Sequence, residues 1–233
     1  MLEINKLEVT RGEGSQSFLI ELPYFSVYNG DVVTLCGQSG CGKSTILEVI
    51  GLILKPNSLQ SYTLNDVDIA TPINKADHSK LAKLRSKNFG FILQTGGLLP
   101  FLSSIENIKL SCKIIGVEFD ESWISPIIDR LEVRSLLNKY PSQLSIGERQ
   151  RISFLRSIAH KPHVLLADEP TAALDPHKAD ELFNIILESV NALNMCAIIV
   201  THDWGLVSKF QLPCYTAVVN KDKSIFSQVQ VAL

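Results

Sequence analysis

The sequence predicts an α/β fold: a mainly parallel sheet, an N-terminal antiparallel β flap and an inserted α-helical lobe. Three observations carry that prediction. Short β-rich runs are separated by longer helical patterns, which is the rhythm of βαβ units. Three of the four best runs lack apolar–polar alternation, as expected of strands covered on both faces. One run ends in a glycine-rich turn that opens onto a helical stretch.

Taken in order, residues 1–28 alternate weakly (Leu7, Val9; Phe18, Ile20, Leu22) around a Gly12-Glu13-Gly14 turn, which predicts the antiparallel flap. Val32–Cys36 reads as a buried strand and Ser44–Ile53 as the helix after the glycine-rich turn. Phe89–Leu93, Val164–Ala167 and Ala197–Val200 are the other strand candidates. Residues 95–160 hold helical patterns and no convincing strand. In Glu148–His160, for example, Ile152, Leu155, Ile158 and Ala159 share one face before Pro162 stops the helix. A single domain over 1–233 is expected, with 1–94 and 161–233 as its core and 95–160 as a helical lobe.

Composition narrows the function classes. The 233 residues carry 22 Lys+Arg against 24 Asp+Glu, a net charge of −2, so no basic footprint for nucleic acid is expected. The longest apolar stretch, Ile46 to Leu54, includes Glu48 and falls far short of the roughly 20 residues that span a bilayer. The opening MLEINKLEV lacks the layout of a signal peptide. Five scattered cysteines form no CxxC pair, so reduced thiols in an intracellular protein are expected rather than disulfides or zinc. A chain of this length buries a sizeable core without either.

Gly37-Gln38-Ser39-Gly40-Cys41-Gly42-Lys43-Ser44 matches G-x-x-x-x-G-K-[ST] between a strand and a helix, and Thr45 continues it. Glycines let successive backbone N–H groups curl around an anion, and the helix N-terminus adds its positive end. Lys43 is expected to reach the β- and γ-phosphates and the Ser44 hydroxyl to ligate Mg²⁺. Cys41 reads first as a small residue filling a tight turn; its place at a helix N-terminus also makes it the thiol expected to react most readily with alkylating agents, with nucleotide protecting it. The other candidate site is Val164–Ala167 ending in Asp168-Glu169. A buried parallel strand delivers Asp168 to the sheet's C-terminal edge, where it can hold Mg²⁺. Glu169, one residue on, can deprotonate the attacking water, which implies hydrolysis.

The segment between these sites is more specific. Leu144-Ser145-Ile146-Gly147-Glu148, followed by a basic helix, resembles the signature region of ATP-binding-cassette (ABC) ATPases. Gln94 after Phe89–Leu93 resembles that family's Q-loop glutamine, Ala172-Ala173-Leu174-Asp175 its D-loop, and Thr201-His202-Asp203 its switch-histidine motif. The resemblance implies the P-loop NTPase fold of the cassettes and ATP hydrolysis with Mg²⁺. It also implies a head-to-tail pair of subunits, expected here as a homodimer. Lys43, Ser44, Gln94, Asp168, Glu169 and His202 would act on ATP held by their own subunit, with Gln94, Ser44 and Asp168 around the metal. Glu169 would be the general base, and His202 would contact the γ-phosphate. Ser145 and Gly147 would cap the γ-phosphate of the partner's ATP, and Asp175 would lie across the interface. Three departures stand out. Ile146 replaces a glycine, with Glu148 in place of glutamine; Arg11 stands where the adenine-stacking aromatic belongs, leaving Arg11 or Phe18 for the base; and residues 206–233 match poorly, with Asn220–Ser224 replacing an expected hairpin.

The layout from Phe89 to Gln94, through Leu98-Leu99-Pro100 to Glu106-Asn107-Ile108, resembles the branch serving lipoprotein release and macrolide export. That branch implies a separate transmembrane permease and a peripheral place on the cytoplasmic face of the inner membrane. Gly96, Gly97, Leu98, Leu99, Pro100 and Phe101 are the expected permease contacts, or alternatively lobe core. A cassette uncoupled from transport, such as an iron–sulfur assembly type, is the alternative; a binding module with degenerate catalysis is a third reading, opposed by intact Lys43, Asp168, Glu169 and His202.

Overall fold

Strands β1 (Leu2–Arg11) and β2 (Phe18–Val27) pair antiparallel from Leu2↔Val27 to Arg11↔Phe18. Buried residues recur at every second position, Leu2 and Ile4 then Leu7 and Val9, facing Ile20, Leu22, Phe25 and Val27. The alternation skips one residue where Lys6 adopts φ +47° opposite Pro23, so both strands keep their apolar side inward. The computed structural model describes residues 1–12, 14 and 17–229; Glu13 of the expected turn and residues 230–233 lie outside the described residues.

The chain divides into two units, Met1–Arg85 with Ile198–Leu233, and Ser86–Ala197. In chain order the first unit continues with β3 (Val32–Cys36), α1 (Lys43–Ile50), β4 (Ser58–Leu64), β5 (Val67–Asp68), α2 (Ala70–Asn74) and α3 (His78–Asn88). The second holds β6 (Phe89–Ile92), α4 (Ser104–Ile115), α5 (Glu121–Arg130), α6 (Ile146–Ile158), β7 (Val164–Asp168) and α7 (Pro176–Leu193). Strand β8 (Cys196–Val200) returns the chain to the first unit, which ends with α8 (Trp204–Lys209), β9 (Cys214–Val219) and β10 (Lys223–Val229).

In the first unit the strand order is β5-β4-β1-β2-β10-β9-β3-β8. The sheet is mixed: β1–β2, β1–β4, β4–β5 and β9–β10 run antiparallel, β2–β10 and β3–β9 parallel. Its core gathers Leu2, Ile4, Phe25, Tyr62, Tyr215 and Phe226, all fully buried. Tyr62 donates its hydroxyl to Ile50 O at 2.6 Å, which ties α1 to β4. The poorly matching C-terminal stretch forms a hairpin after all: β9 and β10 pair from Val219↔Ser224 to Cys214↔Val229. Asn220 N donates to Lys223 O at 2.7 Å across its turn, closing it without glycine.

In the second unit β6 and β7 pair parallel, with Ile92 opposite Ala167. Helix α6 packs against α4 and β6. A Cβ on Gly90 would lie 2.1 Å from Ser157 O, so that strand position admits only glycine. Helices α4, α5 and α6 fall within residues 95–160. Helix α6 starts two residues before the expected Glu148, because Ser145 caps it.

Candidate functional site: a phosphate loop, a carboxylate edge and a capped signature helix

In the first unit, β3 delivers Gly37–Gly42 to the N-terminus of α1. Gly42, with φ +103°, is the N-cap residue. That backbone favours glycine, and a Cβ there would also lie 2.6 Å from Ile20 Cδ1. The helix has no side-chain cap and no acid in its first turn, so its positive end is left to an external anion. Lys43 is 8% exposed, and its ammonium donates to Gly37 O at 2.8 Å and Gln38 O at 2.9 Å. The amine therefore sits against the first carbonyls of the loop, whose Ser39 and Gly40 are exposed.

Cys41 is packed as a small side chain filling a tight turn and not as the accessible thiol of the alternative reading. Its side chain is 2% exposed, and a Cβ on Gly37 would lie 3.1 Å from its Sγ. The Lys43 ammonium reaches the sulfur at 4.0 Å, and Ser224 Oγ donates to Cys41 O at 2.7 Å. The loop folds this thiol inward, away from alkylating agents. All five cysteines are buried thiols. Beneath the loop, the hydrogen bond with Cys214 and burial push the Cys36 thiol far up, so it stays protonated.

His202 reaches the same edge of the first unit. Thr201 N donates to Leu35 O at 3.2 Å, which brings the end of β8 beside the end of β3, and His202 follows, exposed. Asp203 then caps α8, accepting from Leu206 N at 3.1 Å. At the flap, Arg11 Nε donates to Thr45 Oγ1 at 3.3 Å and its guanidinium pairs with Glu48. Phe18, half-buried, is its partner across the strands. Arg11 is thus held against the first turn of α1, directly after Ser44.

In the second unit the parallel register of β6 and β7 places Gln94 and Asp168–Glu169 at one sheet edge. Gln94 is exposed and Asp168 and Glu169 half-buried. Glu169 has φ +51°, a left-handed backbone uncommon for a non-glycine residue. Its carbonyl accepts from Ala172 N at 3.3 Å and from Gln150 Nε2 at 3.4 Å. Asp175 caps α7, accepting from Lys178 N at 3.1 Å, and that bond holds its carboxyl below the usual range.

Ser145 begins α6 with a capping box. Its Oγ accepts from Glu148 N at 3.2 Å, and its own N–H donates to Glu148 Oε2 at 2.7 Å. The Ser145 backbone N–H, chiefly, holds the Glu148 carboxyl below its ordinary value. Ile146 is 58% exposed. A Cβ on Gly147 would lie 2.8 Å from Leu174 Cδ2 and 3.3 Å from Ala173 O, so α6 rests directly on the segment before Asp175. Further along α6, Arg156 donates to Gly97 O at 2.7 Å and Gly96 O at 3.2 Å. Sequence reasoning passed over Gln150 and Arg156, because each works through contacts distant in sequence. Beside Gln94 a groove of about 340 Å³ is lined by Thr95, Gly97, Leu98, Pro100, Pro141, Ser142 and Arg149. Phe101, 71% exposed, is the most exposed large apolar side chain among the described residues.

The sequence and the fold are similar to those of known proteins. Residues 23–172 match the family model described as ABC transporter. The lipoprotein-releasing system ATP-binding protein LolD of Idiomarina loihiensis is 37% identical over 200 residues, covering 85% of this chain and 86% of that protein. The macrolide export ATP-binding/permease protein MacB of Shigella flexneri is 37% identical over 180 residues, 76% of this chain but 27% of that larger protein. Among solved structures, the dimeric post-hydrolysis state of the ATP-binding cassette MJ0796 bound to ADP and Pi superimposes with a TM-score of 0.85, at 24% identity over the whole of both chains.

Proposed function

The chain belongs to the ABC transporter family, as an ATP-binding and ATP-hydrolysing subunit, and from that premise we propose that two copies work head to tail on a separate transmembrane permease. The observation that carries this reading is the exposed, serine-capped start of α6 in a chain that already owns a phosphate loop. Such a helix end suits an anion brought by a second molecule. The backbone of Gly37–Thr45 and Lys43 hold the β- and γ-phosphates, and the uncapped end of α1 supplies partial positive charge. Ser145 and Gly147 close on the partner's γ-phosphate, and Asp175 lies beside the partner's site. Arg11 offers a planar cation to the base, with Phe18 next to it.

Hydrolysis falls to Glu169 as general base, with His202 on the γ-phosphate. The donors assigned to Mg²⁺ are the Ser44 hydroxyl, the Gln94 amide and the Asp168 carboxylate. They are hard oxygen groups, none is buried behind apolar side chains, and they suit that ion. When bound, Mg²⁺ neutralises charge on the phosphate oxygens. No helix among the described residues is long and apolar enough to cross a membrane. Membrane association therefore runs through the permease, on the cytoplasmic face of the inner membrane. The groove at Thr95–Pro100, with exposed Phe101 and Tyr140 nearby in sequence to its lining, offers the apolar seat for a permease helix. Likeness to LolD and MacB supports export or extraction of cargo as the direction of work.

The test is Glu169→Gln. It is expected to abolish turnover and to leave an ATP-bound dimer that runs at twice the subunit mass in size-exclusion chromatography. Unchanged turnover would remove Glu169 from the role of base.

A further inference from the structure

Helix α6 carries a buried amide that its packing does not require. Gln150 is 1% exposed, and its Nε2 donates to the Glu169 carbonyl at 3.4 Å. Its Oε1 is buried with no hydrogen-bond partner among the described residues. An apolar side chain of the same volume would fill that space without leaving a buried acceptor unmade, which is costly in a protein interior. The residue this amide touches is itself unusual: Glu169 holds φ +51°, a conformation that persists only where its surroundings impose it. Its carbonyl receives two donors, Ala172 N from within the loop and Gln150 from the helix. Together they set the peptide plane after Glu169, and so the direction in which the side chain leaves the strand. Gly147, three residues before Gln150 and on the same face of α6, meets Ala173 and Leu174 at the other end of this loop. One helical turn therefore grips the loop from Glu169 to Leu174 at two points.

Resting on the assignment of Glu169 as base, we propose that Gln150 is a positioning residue for Glu169, through which displacement of α6 at its Ser145 end resets the general base of the same chain. The partner's ATP meets the start of α6; Gln150, five residues on, meets the loop that carries the hydrolytic carboxylate. Engagement of one nucleotide is thereby linked to readiness at the other. Gln150 touches no nucleotide and acts only through Glu169.

Two substitutions in the full-length dimer test this. Gln150→Met keeps volume and removes the donor, while Gln150→Glu keeps the shape and sets a carboxylate against the Glu169 carbonyl. Gln150→Met is expected to lower kcat for ATP about ten- to a hundredfold, the scale of a misplaced catalytic group, with KM and the thermal midpoint nearly unchanged; Gln150→Glu is expected to lower kcat at least as far and, because it buries a carboxylate against a carbonyl, to melt at a lower temperature as well. In the Glu169→Gln background, where the base is absent, Gln150→Met is expected to leave the yield of ATP-bound dimer unchanged. A raised KM with kcat kept, or a lowered dimer yield in that background, would assign Gln150 to the helix or the fold instead. The same reassignment follows if Gln150→Glu melts well below the parent while Gln150→Met retains full kcat. Should Glu169→Gln alone leave turnover intact, it is the base assignment that fails, a result independent of both Gln150 variants.

Discussion

Helices α1 and α6 both start at a glycine-bearing motif, and their first turns are finished in opposite ways. Helix α1 begins at Gly42 with no side-chain cap and no acid in its first turn. Helix α6 begins at Ser145 with both bonds of a capping box made, and Glu148 puts a carboxylate into its first turn. One helix end is left for an anion to complete. The other has its Ser145 and Glu148 N–H groups taken by the capping box, which leaves those of Ile146 and Gly147 to a phosphate that must approach beside the Glu148 carboxylate. Under the proposed function the difference teaches where affinity and where conditionality reside: nucleotide would be held at α1, while closure at α6 would be a contest that the third phosphate has to win.

The largest effect expected from breaking this contrast is at α1. Lys43→Ala removes the ammonium that sits against the carbonyls of Gly37 and Gln38. In the proposed site that ammonium binds the β- and γ-phosphates, a charged hydrogen bond worth up to about 3 kcal/mol, so ATP affinity should fall about a hundredfold. Fluorescence titration with a nucleotide analogue measures it. Retained affinity would mean that the backbone and helix dipole alone hold the phosphates. Next in size is Gly147→Ala. The added methyl would lie 2.8 Å from Cδ2 of the half-buried Leu174 side chain, which must turn aside, and 3.3 Å from Ala173 O, which must give by a few tenths of an ångström. Overpacking of this kind costs about 1 kcal/mol, the low end of its range, read as a lower urea midpoint at unchanged slope. Unaltered stability would show that α6 rests on the loop less firmly than the packing indicates.

How much of this contrast is legible in sequence differs between the two helices. The start of α1 is readable because its chemistry is local: strand, glycines, Lys43 and Ser44 are consecutive, and each residue type is needed where it stands. The edge carrying Asp168 and Glu169 is readable for the same reason. At α6 the pattern Ser145-x-x-Glu148 is also a local signal, a capping box, but read as a family motif Glu148 looks like a variant of glutamine. The helix therefore starts earlier than the apolar periodicity indicates. Gln150 leaves no local trace, because its partner is nineteen positions away on another element. Cys41 is a third kind of case. Its exposure depends on how the loop curls and on Ser224 bonding its carbonyl from β10, a strand in the stretch where family likeness is weakest. Residue identity tells what a side chain can do; only the tertiary fold decides which way it faces.

The smallest expected effect sharpens the comparison most. Glu148→Gln keeps both capping-box acceptor positions but removes the charge that faces an incoming phosphate. The parent carboxyl sits below its ordinary value of 4.5, chiefly through the Ser145 N–H. Because the folded value lies below the unfolded one, the charged form contributes stability fully above about pH 4.5 and loses it as pH falls through the folded value. Between about pH 6 and 8 the group is ionised throughout, so the effect of the substitution should not vary with pH there. A carboxylate in a helix's first turn is worth about 0.3–1 kcal/mol, so fold stability drops by no more than that. The same charge opposes a phosphate at that helix end, so ATP-driven dimer formation should strengthen about two- to fivefold in the Glu169→Gln background. Sedimentation across a range of ATP concentrations measures the shift. It should shrink as salt is raised, since Glu148 is only partly buried. Weaker dimers at every salt concentration would mean that the phosphate meets α6 with its capping box intact, with Glu148 ordering the helix end and opposing nothing.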